Sequence, residues 1–358
     1  MLSPREAVRT LASYHPPLAG RDGLRLDFNE NTVGCSPRVL ERMRQLGPEQ
    51  LAKYPEREPV EAAVADVLGI AAQELLLTNG VDEAIHLLCE TYLESGDEAL
   101  IVVPTYSMYR IYMMATGAEV VSIPAGKDFI FPRDELCNRI TPRTRMIAIA
   151  NPNNPTGTIA PQDDLRQIAH SAPSAAVLVD EAYFEFCGQT MLDTRKEIPN
   201  LFVARTFSKA YGMAGLRSGM LVGDAEQMQA VRRVCSPYNV NAVALACLPE
   251  ALDDQVYVQQ YVNEVRASRV RLERMLETNG IPFWPSQANF VLARVGAAAS
   301  FVEHMRQRGI LVRDRSSDHG CEGCVRITLG SREHANLLLT ALQETLEELG
   351  LAQGASRR

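Results

Sequence analysis

The chain has 358 residues, of which 46% are hydrophobic and 22% charged; this is the balance of a soluble globular protein larger than one ordinary domain. Its formal net charge of −8 argues against the basic stripe of a nucleic-acid binder, and no run reaches the apolar length of a membrane span. The N-terminus carries charges throughout and lacks the apolar segment of an export signal, so its eight scattered cysteines are expected as reduced thiols in a cytoplasm.

In chain order, residues 1–34 read as an extended, proline-containing segment expected to pack with a small C-terminal domain, 261–358, around a large domain at 35–260. Seven short apolar runs follow one another at 75–78, 99–104, 119–124, 146–150, 176–180, 201–205 and 219–223. Each is rich in Val, Ile, Leu or Ala with little polar alternation. That pattern predicts strands buried on both faces, hence an α/β fold with a mostly parallel seven-stranded sheet in three α/β/α layers. After the first run, an Asn79-Gly80 turn leads into a helix whose Ile85, Leu88, Cys89 and Tyr92 share one face. Asp82 and Glu83 fall in its first turn. Strand, turn and helix together put free backbone N–H groups at a helix N-terminus, a natural seat for an anion. The final third predicts a long helix at 262–278, short strands at 289–293 and 325–329, and a last helix from Ser331 with Leu338, Leu342, Leu346 and Leu349 on one face. Two strands between helices suggest a smaller α+β domain.

Four segments just after these runs carry residues suited to chemistry. In RTFSKAYGMAGLRSG (205–219), Thr206, Ser208 and Arg217 offer two hydroxyls and a guanidinium, good equipment for a phosphate. Lys209 sits among them and can be desolvated into a nucleophile, though taken alone it reads as an exposed loop lysine. In VLVDEAYFEF (177–186), Asp180 ends a strand where parallel sheets bind ligands. There it can hold a cationic ring nitrogen, with Tyr183 near a phenolic oxygen of the same ring; it can equally be a helix N-cap. NPNNPTG (151–157) presents the Asn154 amide at the sheet edge or is simply a turn. Tyr106, in PTYSMY, can stack on a flat ring or cap the core. The CEGC stretch, Cys321 to Cys324, has no second ligand pair at matching spacing, so no metal is expected. Together the four segments supply a phosphate seat, a ring-nitrogen partner, a stacking face and an amine, the needs of pyridoxal phosphate.

Through NPNNPTG, VDEAY, SKAYGMAGLRSG and VRITLG, the sequence resembles the fold-type I, class I/II aminotransferases from about residue 25 to 345. Within that family, LDFNEN, KYPE, NGVDEAI, SPYNVN, ANFVLAR and GILVRDRS liken it most to the branch acting on histidinol phosphate. The resemblance implies that Lys209 bonds pyridoxal 5'-phosphate as a Schiff base. It also implies that Asp180 pairs with the ring nitrogen, Tyr183 and Asn154 hold the ring oxygen, and Tyr106 stacks on the ring. Backbone N–H groups near Val81 and Asp82, with Thr206, Ser208 and Arg217, are then the phosphate seat. Tyr54 is expected to reach that phosphate from a second copy of the chain, which makes the enzyme a homodimer with shared sites. Arg326 is the implied substrate-carboxylate clamp, with Asn154 beside it. Arg313 and Tyr14 are implied for the substrate's own phosphate, and the second substrate pair is 2-oxoglutarate and glutamate. The sequence departs from the family pattern with Thr32 and Cys35 in NENTVGCSP, with Lys53 before Tyr54, and with the larger Val81 at the phosphate turn.

Other readings remain open on the same residues. An aminotransferase of aromatic or other amino acids keeps Lys209, Asp180 and Arg217, and so does a threonine-phosphate decarboxylase. A regulator on this scaffold would need an added DNA-binding module, for which the motifs leave no room.

Overall fold

The seven apolar runs pair into one sheet. In the computed structural model, which describes residues 2–13, 20 and 22–352, the strands in chain order are β1 Leu24–Arg25, β2 Leu75–Thr78, β3 Glu98–Val103, β4 Glu119–Pro124, β5 Thr144–Ala150, β6 Ala176–Asp180 and β7 Leu201–Thr206. They continue as β8 Gly219–Val222, β9 Phe283–Trp284, β10 Phe290–Arg294, β11 Ile310–Leu311, β12 Arg313–Asp314 and β13 Cys324–Thr328. The large sheet has the order β2-β8-β7-β6-β5-β3-β4. Strands β7, β6, β5, β3 and β4 run parallel, while β8 is antiparallel to both of its neighbours. The fold is thus α/β with a mostly parallel seven-stranded sheet.

Side chains two apart along each strand share a face, and the packing separates accordingly. Leu77, Leu100, Ile147, Val177, Val179 and Val203 face one apolar core, whereas Leu76, Ile101, Met146, Leu178 and Phe202 face another. Helices cover both sides, because strands apolar on both faces must be shielded twice. The exception is β4. It was expected to be buried on both faces, yet only Ile123 of its six residues is buried. The reason is position: β4 is the outer strand beyond β3, so one flank has no neighbour and its Glu119 and Ser122 meet water.

A second sheet, β12-β13-β10-β9, is antiparallel throughout. It packs with the helices Gln255–Thr278 and Arg332–Glu348. The first of these starts seven residues before the expected 262, because Asp254 caps it by accepting a hydrogen bond from the Tyr257 N–H at 3.3 Å. The second begins where the Ser331 hydroxyl accepts from the His334 N–H, as the sequence predicts.

The N-terminal segment divides. Strand β1 pairs in parallel with β11 as a two-stranded sheet of its own, and the Leu26 carbonyl accepts from the Thr328 N–H at 2.9 Å, so residues 24–26 lie beside the small sheet. The helix Glu6–Arg9 lies instead against the helix Ser107–Thr116 of the large part, where Arg5 donates to the Ala115 carbonyl at 2.9 Å. The segment expected to pack with the small domain thus touches both parts, and Asn31 further along donates to the Ala210 carbonyl of the large part at 3.0 Å. Tyr14 lies outside the described residues.

Candidate active site

Brought together at one end of the sheet are the carboxyl ends of β2, β3, β5, β6 and β7 and the entry to antiparallel β8. In open α/β sheets this is where ligands bind. The loops that leave these strands line a cavity of about 490 Å³. Its wall carries Val81, Asp82, Tyr106, Asn154, Asp180, Tyr183, Thr206, Ser208, Lys209 and Arg217 from the large part, with Arg313 and Arg326 from the small sheet. Of the residues singled out in the sequence, only two are missing from this wall. Tyr14 is outside the described residues, and Tyr54 is 78% exposed and stacked on Tyr238 with ring centroids 4.3 Å apart.

Lys209 follows β7 by three residues and its amine donates to the Phe28 carbonyl at 3.1 Å. Burial, and then the positive charge of Arg326, push its pKa down to about 8. A buried ammonium loses hydration that one carbonyl cannot replace, so the neutral, nucleophilic form gains weight near neutral pH.

Asp180 closes β6. Its Oδ2 accepts from the Tyr109 hydroxyl at 2.6 Å and its Oδ1 from the Ala182 N–H at 3.0 Å. It is not a helix N-cap, since the next helix is Phe184–Cys187 with Tyr183 at the cap position. Burial raises its pKa to about 6, and the two hydrogen bonds oppose the rise. An anion so poorly hydrated attracts a cationic N–H placed beside it.

Two groups suited to a ring oxygen stand near each other. The Tyr183 hydroxyl accepts from Asn29 Nδ2 at 2.8 Å, which leaves the tyrosine proton to donate elsewhere. Arg326 Nη1 donates to Asn154 Oδ1 at 2.5 Å, so the asparagine retains its N–H donors for a ligand. Arg326 Nη2 donates to the Asp27 carbonyl at 2.6 Å, and the guanidinium lies over the Phe290 ring, 5.4 Å from its centroid.

The anion seat forms where the chain enters the helix Val81–Tyr92. Gly80 is its N-cap residue, with φ 78° and ψ 173° and no side-chain cap, so the first backbone N–H groups have no partner from that quarter. Such a backbone conformation is open to glycine almost alone. A Cβ on Gly80 would also come within 2.6 Å of Arg217 Nη2, so the glycine makes room for the guanidinium that crosses it. Arg217 donates to Asp82 Oδ2 at 3.1 Å, and Tyr106 donates to Asp82 Oδ1 at 2.8 Å. Thr206 Oγ1 donates to Ser208 Oγ at 2.9 Å. Two hydroxyls, a guanidinium and a helix N-terminus gathered around a cradle that one methyl would fill suit a phosphate monoester. With the amine, the buried carboxylate and the two oxygen-seeking donors, the donor set fits pyridoxal phosphate.

Three contributors escaped the sequence reading. Tyr109 lies within the same PTYSMY stretch as Tyr106, one helical turn on, and that i, i+3 spacing was the signal that could have found it. Asn29 was visible only as part of LDFNEN. It needs Thr328, whose hydroxyl donates to Asn29 Oδ1 at 3.0 Å across 299 positions, and no local pattern announces such a pair. Arg315 also lines the cavity. Cys321 and Cys324 are buried free thiols at the start of β13, and no metal-holding cluster of His, Cys, Asp and Glu occurs among the described residues.

The family model for aminotransferases of class I and II matches residues 21–342, and the chain belongs to that family. It is 35% identical over 350 residues, 96% of its length and 98% of the relative's, to a histidinol-phosphate aminotransferase of Nostoc sp.. A solved histidinol-phosphate aminotransferase from Sinorhizobium meliloti, in complex with pyridoxal-5'-phosphate, superposes with a TM-score of 0.87 at 25% identity, covering 96% of this chain and 97% of that one. The L-threonine-O-3-phosphate decarboxylase of Porphyromonas gingivalis shares the fold at a TM-score of 0.79 and 23% identity, over 90% of this chain and 99% of that one.

Proposed function

We propose that this aminotransferase moves the amino group of histidinol phosphate to 2-oxoglutarate, with pyridoxal 5'-phosphate held at Lys209. The observation that carries the reading is the placement of the Lys209 amine in one cavity with the Asp180 carboxylate and the Arg313 and Arg326 guanidiniums. Its similarity to histidinol-phosphate aminotransferases along almost its full length supports the substrate.

Bound there, pyridoxal phosphate supplies an electron sink for the pair left when a Cα–H bond breaks, and carries the amino group between substrates. The chain's residues supply the rest. Val81 and Asp82 backbone N–H groups, Thr206, Ser208 and Arg217 hold the phosphate. Asp180 keeps a proton on the ring nitrogen, because an anion in a dry site stabilises the cation beside it. Tyr183 and Asn154 donate to the ring oxygen, and Tyr106 flanks the ring. The Lys209 amine, when free and neutral, would be placed to take and return the proton at the substrate Cα, and its pKa near 8 suits a base working close to neutral pH. Arg326 binds the carboxylate of glutamate, while Arg313 faces the substrate phosphate. An arginine fork accepts carboxylate or phosphate bidentately, so one pocket can serve two different amino donors in turn.

The same reading makes the enzyme a cytoplasmic homodimer in which Tyr54 reaches the cofactor phosphate of the second copy. Its support is the exposed Tyr54–Tyr238 stack, an aromatic pair facing outward. All eight cysteines are free thiols, and no helix among the described residues is long and apolar enough to cross a membrane.

The test is spectroscopic. Purified protein with bound cofactor should lose its visible absorption on addition of histidinol phosphate and regain it with 2-oxoglutarate. Bleaching by aromatic amino acids but not by histidinol phosphate would replace the substrate. Release of carbon dioxide from threonine phosphate would replace the reaction.

A further inference from the structure

Beyond the groups already assigned, the small sheet presents a third guanidinium to the cavity. Strand β12 pairs with β13 so that Arg313 stands opposite Arg326, and the Arg315 N–H extends that ladder by donating to the Cys324 carbonyl at 2.9 Å. Residues two apart on a strand share a face. Arg313 and Arg315 therefore issue from one side of the strand, next to Arg326, and all three line the same cavity.

The three are not equivalent. Arg326 donates to Asn154 and the Asp27 carbonyl. Arg313 rests over the Phe28 ring at 5.4 Å. Arg315 is 14% exposed and forms an ion pair through Nη2 with Asp318, while its buried Nε has no hydrogen-bond partner among the described residues. Asp318 is held by successive turns, its N–H donating to the Arg315 carbonyl at 2.9 Å and its carbonyl accepting from the Cys321 N–H at 3.0 Å. Burial raises the Asp318 pKa, against the opposing charges of Arg315, then Arg326 and Arg313. The other acids on this stretch of wall are Asp27 and Glu30, and Glu30 is paired with Arg25 at 2.5 Å.

We infer that Arg315 is a specificity-determining residue that reads the distal phosphate of the amino donor, with Asp318 as its positioning partner. This deepens the histidinol-phosphate reading and rests on it. A guanidinium has five N–H donors in a fixed fork, and one carboxylate occupies only part of it. A phosphate monoester brings up to two charges and three acceptor oxygens, enough to engage Arg315 and Arg313 together. The single distal carboxylate of glutamate has fewer acceptors and one charge, so it gains less from Arg315. Asp318 keeps the side chain on the wall when no anion is bound, and does so without matching the charge of all three arginines.

The experiment compares histidinol phosphate with unphosphorylated histidinol on the holoenzyme. In Arg315→Gln, the preference for the phosphorylated amine, as a ratio of kcat/KM values, should fall by roughly 10- to 100-fold, the range for loss of a charged hydrogen bond. The loss should sit mainly in KM. Arg315→Lys should restore part of the ratio, and Asp318→Asn should lower it by a few-fold, with Asp318→Glu recovering it. Titration of cofactor absorption with histidinol phosphate gives the same order without relying on turnover. If wild-type protein turns over histidinol phosphate and Arg315→Gln leaves the ratio unchanged, the inference alone is overturned. If wild-type protein ignores histidinol phosphate, the substrate reading fails and takes the inference with it. Should Arg315→Gln lose the cofactor absorption, Arg315→Lys decides, and an unchanged ratio there overturns the inference equally.

Discussion

The two ends of the cavity are built on different terms. At the large-sheet end each polar group is already backed by another protein group. Asp180 has Tyr109, Tyr183 has Asn29, Arg217 has Asp82 and Thr206 has Ser208. At the small-sheet end three guanidiniums share one wall, with Arg326 held by two hydrogen bonds, Arg315 by an ion pair with Asp318, and Arg313 lying over the Phe28 ring. A group that stays put through every turnover benefits from fixed, preorganised donors. Substrates of two shapes call for donors that can be shared out differently, and arginine forks permit that.

The largest expected break falls on the fixed end. Lys209→Ala should lower transamination about 10⁴-fold, the upper range for a positioned acid–base group. A loss within tenfold, measured as single turnover with glutamate, would move the base elsewhere. Asp180→Asn should lower the rate about 10³-fold, the scale on which a preorganised charge acts, and should have an opposite effect on the cofactor-free chain. Asp180's folded pKa, about 6, lies above its ordinary 3.8, so the native state holds a proton that the unfolded state has released between those values. The stability of the cofactor-free chain therefore falls as pH rises through that window, and above it the buried charge costs roughly 3 kcal/mol. Asn carries no such charge, so cofactor-free Asp180→Asn should melt higher than wild type at pH 7 and equally at pH 3.5. A lower melting point at pH 7 would mean that Asp180 is not destabilised in the folded chain.

The adaptable end should break more selectively. Arg326→Ala is expected to cost the glutamate half-reaction about 10²-fold, since a buried charge-assisted pair with a carboxylate is lost. Unchanged single-turnover rates with glutamate would remove Arg326 from the carboxylate site. Smallest of the four, Tyr109→Phe deletes one hydrogen bond to Asp180 and should slow turnover about tenfold. The contrast between the two ends sharpens if Tyr109→Phe slows both half-reactions alike while Arg326→Ala slows mainly one.

How much was legible in the sequence follows the same divide. Strands β2, β6 and β7 each carry their functional residue within a few positions of their last residue, so Gly80, Asp180 and Lys209 could be read as local motifs. The strand spans were legible because burial on two faces leaves an unbroken apolar run. Strand β4 misled because an apolar run does not say whether a strand lies inside a sheet or at its edge. The small-sheet end was legible only through resemblance. The Arg313–Arg326 register, the Asn29–Thr328 pair and the link from Lys209 to the Phe28 carbonyl span from 13 to 299 positions along the chain, and nothing local encodes them. The helix at 255–278 starts ahead of the expected 262 because Val258, Tyr261, Val262 and Val265 carry its buried face back toward the Asp254 cap, a signal that is local in the sequence.

One apolar cluster runs without a seam from Leu77 and Val179 beneath the large sheet, through Tyr261 and Leu272, to Phe290 and Leu342 of the smaller part. Two lobes that share a single oily interior cannot lose one and keep the other dry. Heat should therefore take them together, as one calorimetric peak, and any swing of the small lobe over the substrate must be a sliding of packed side chains rather than a door on a loose hinge.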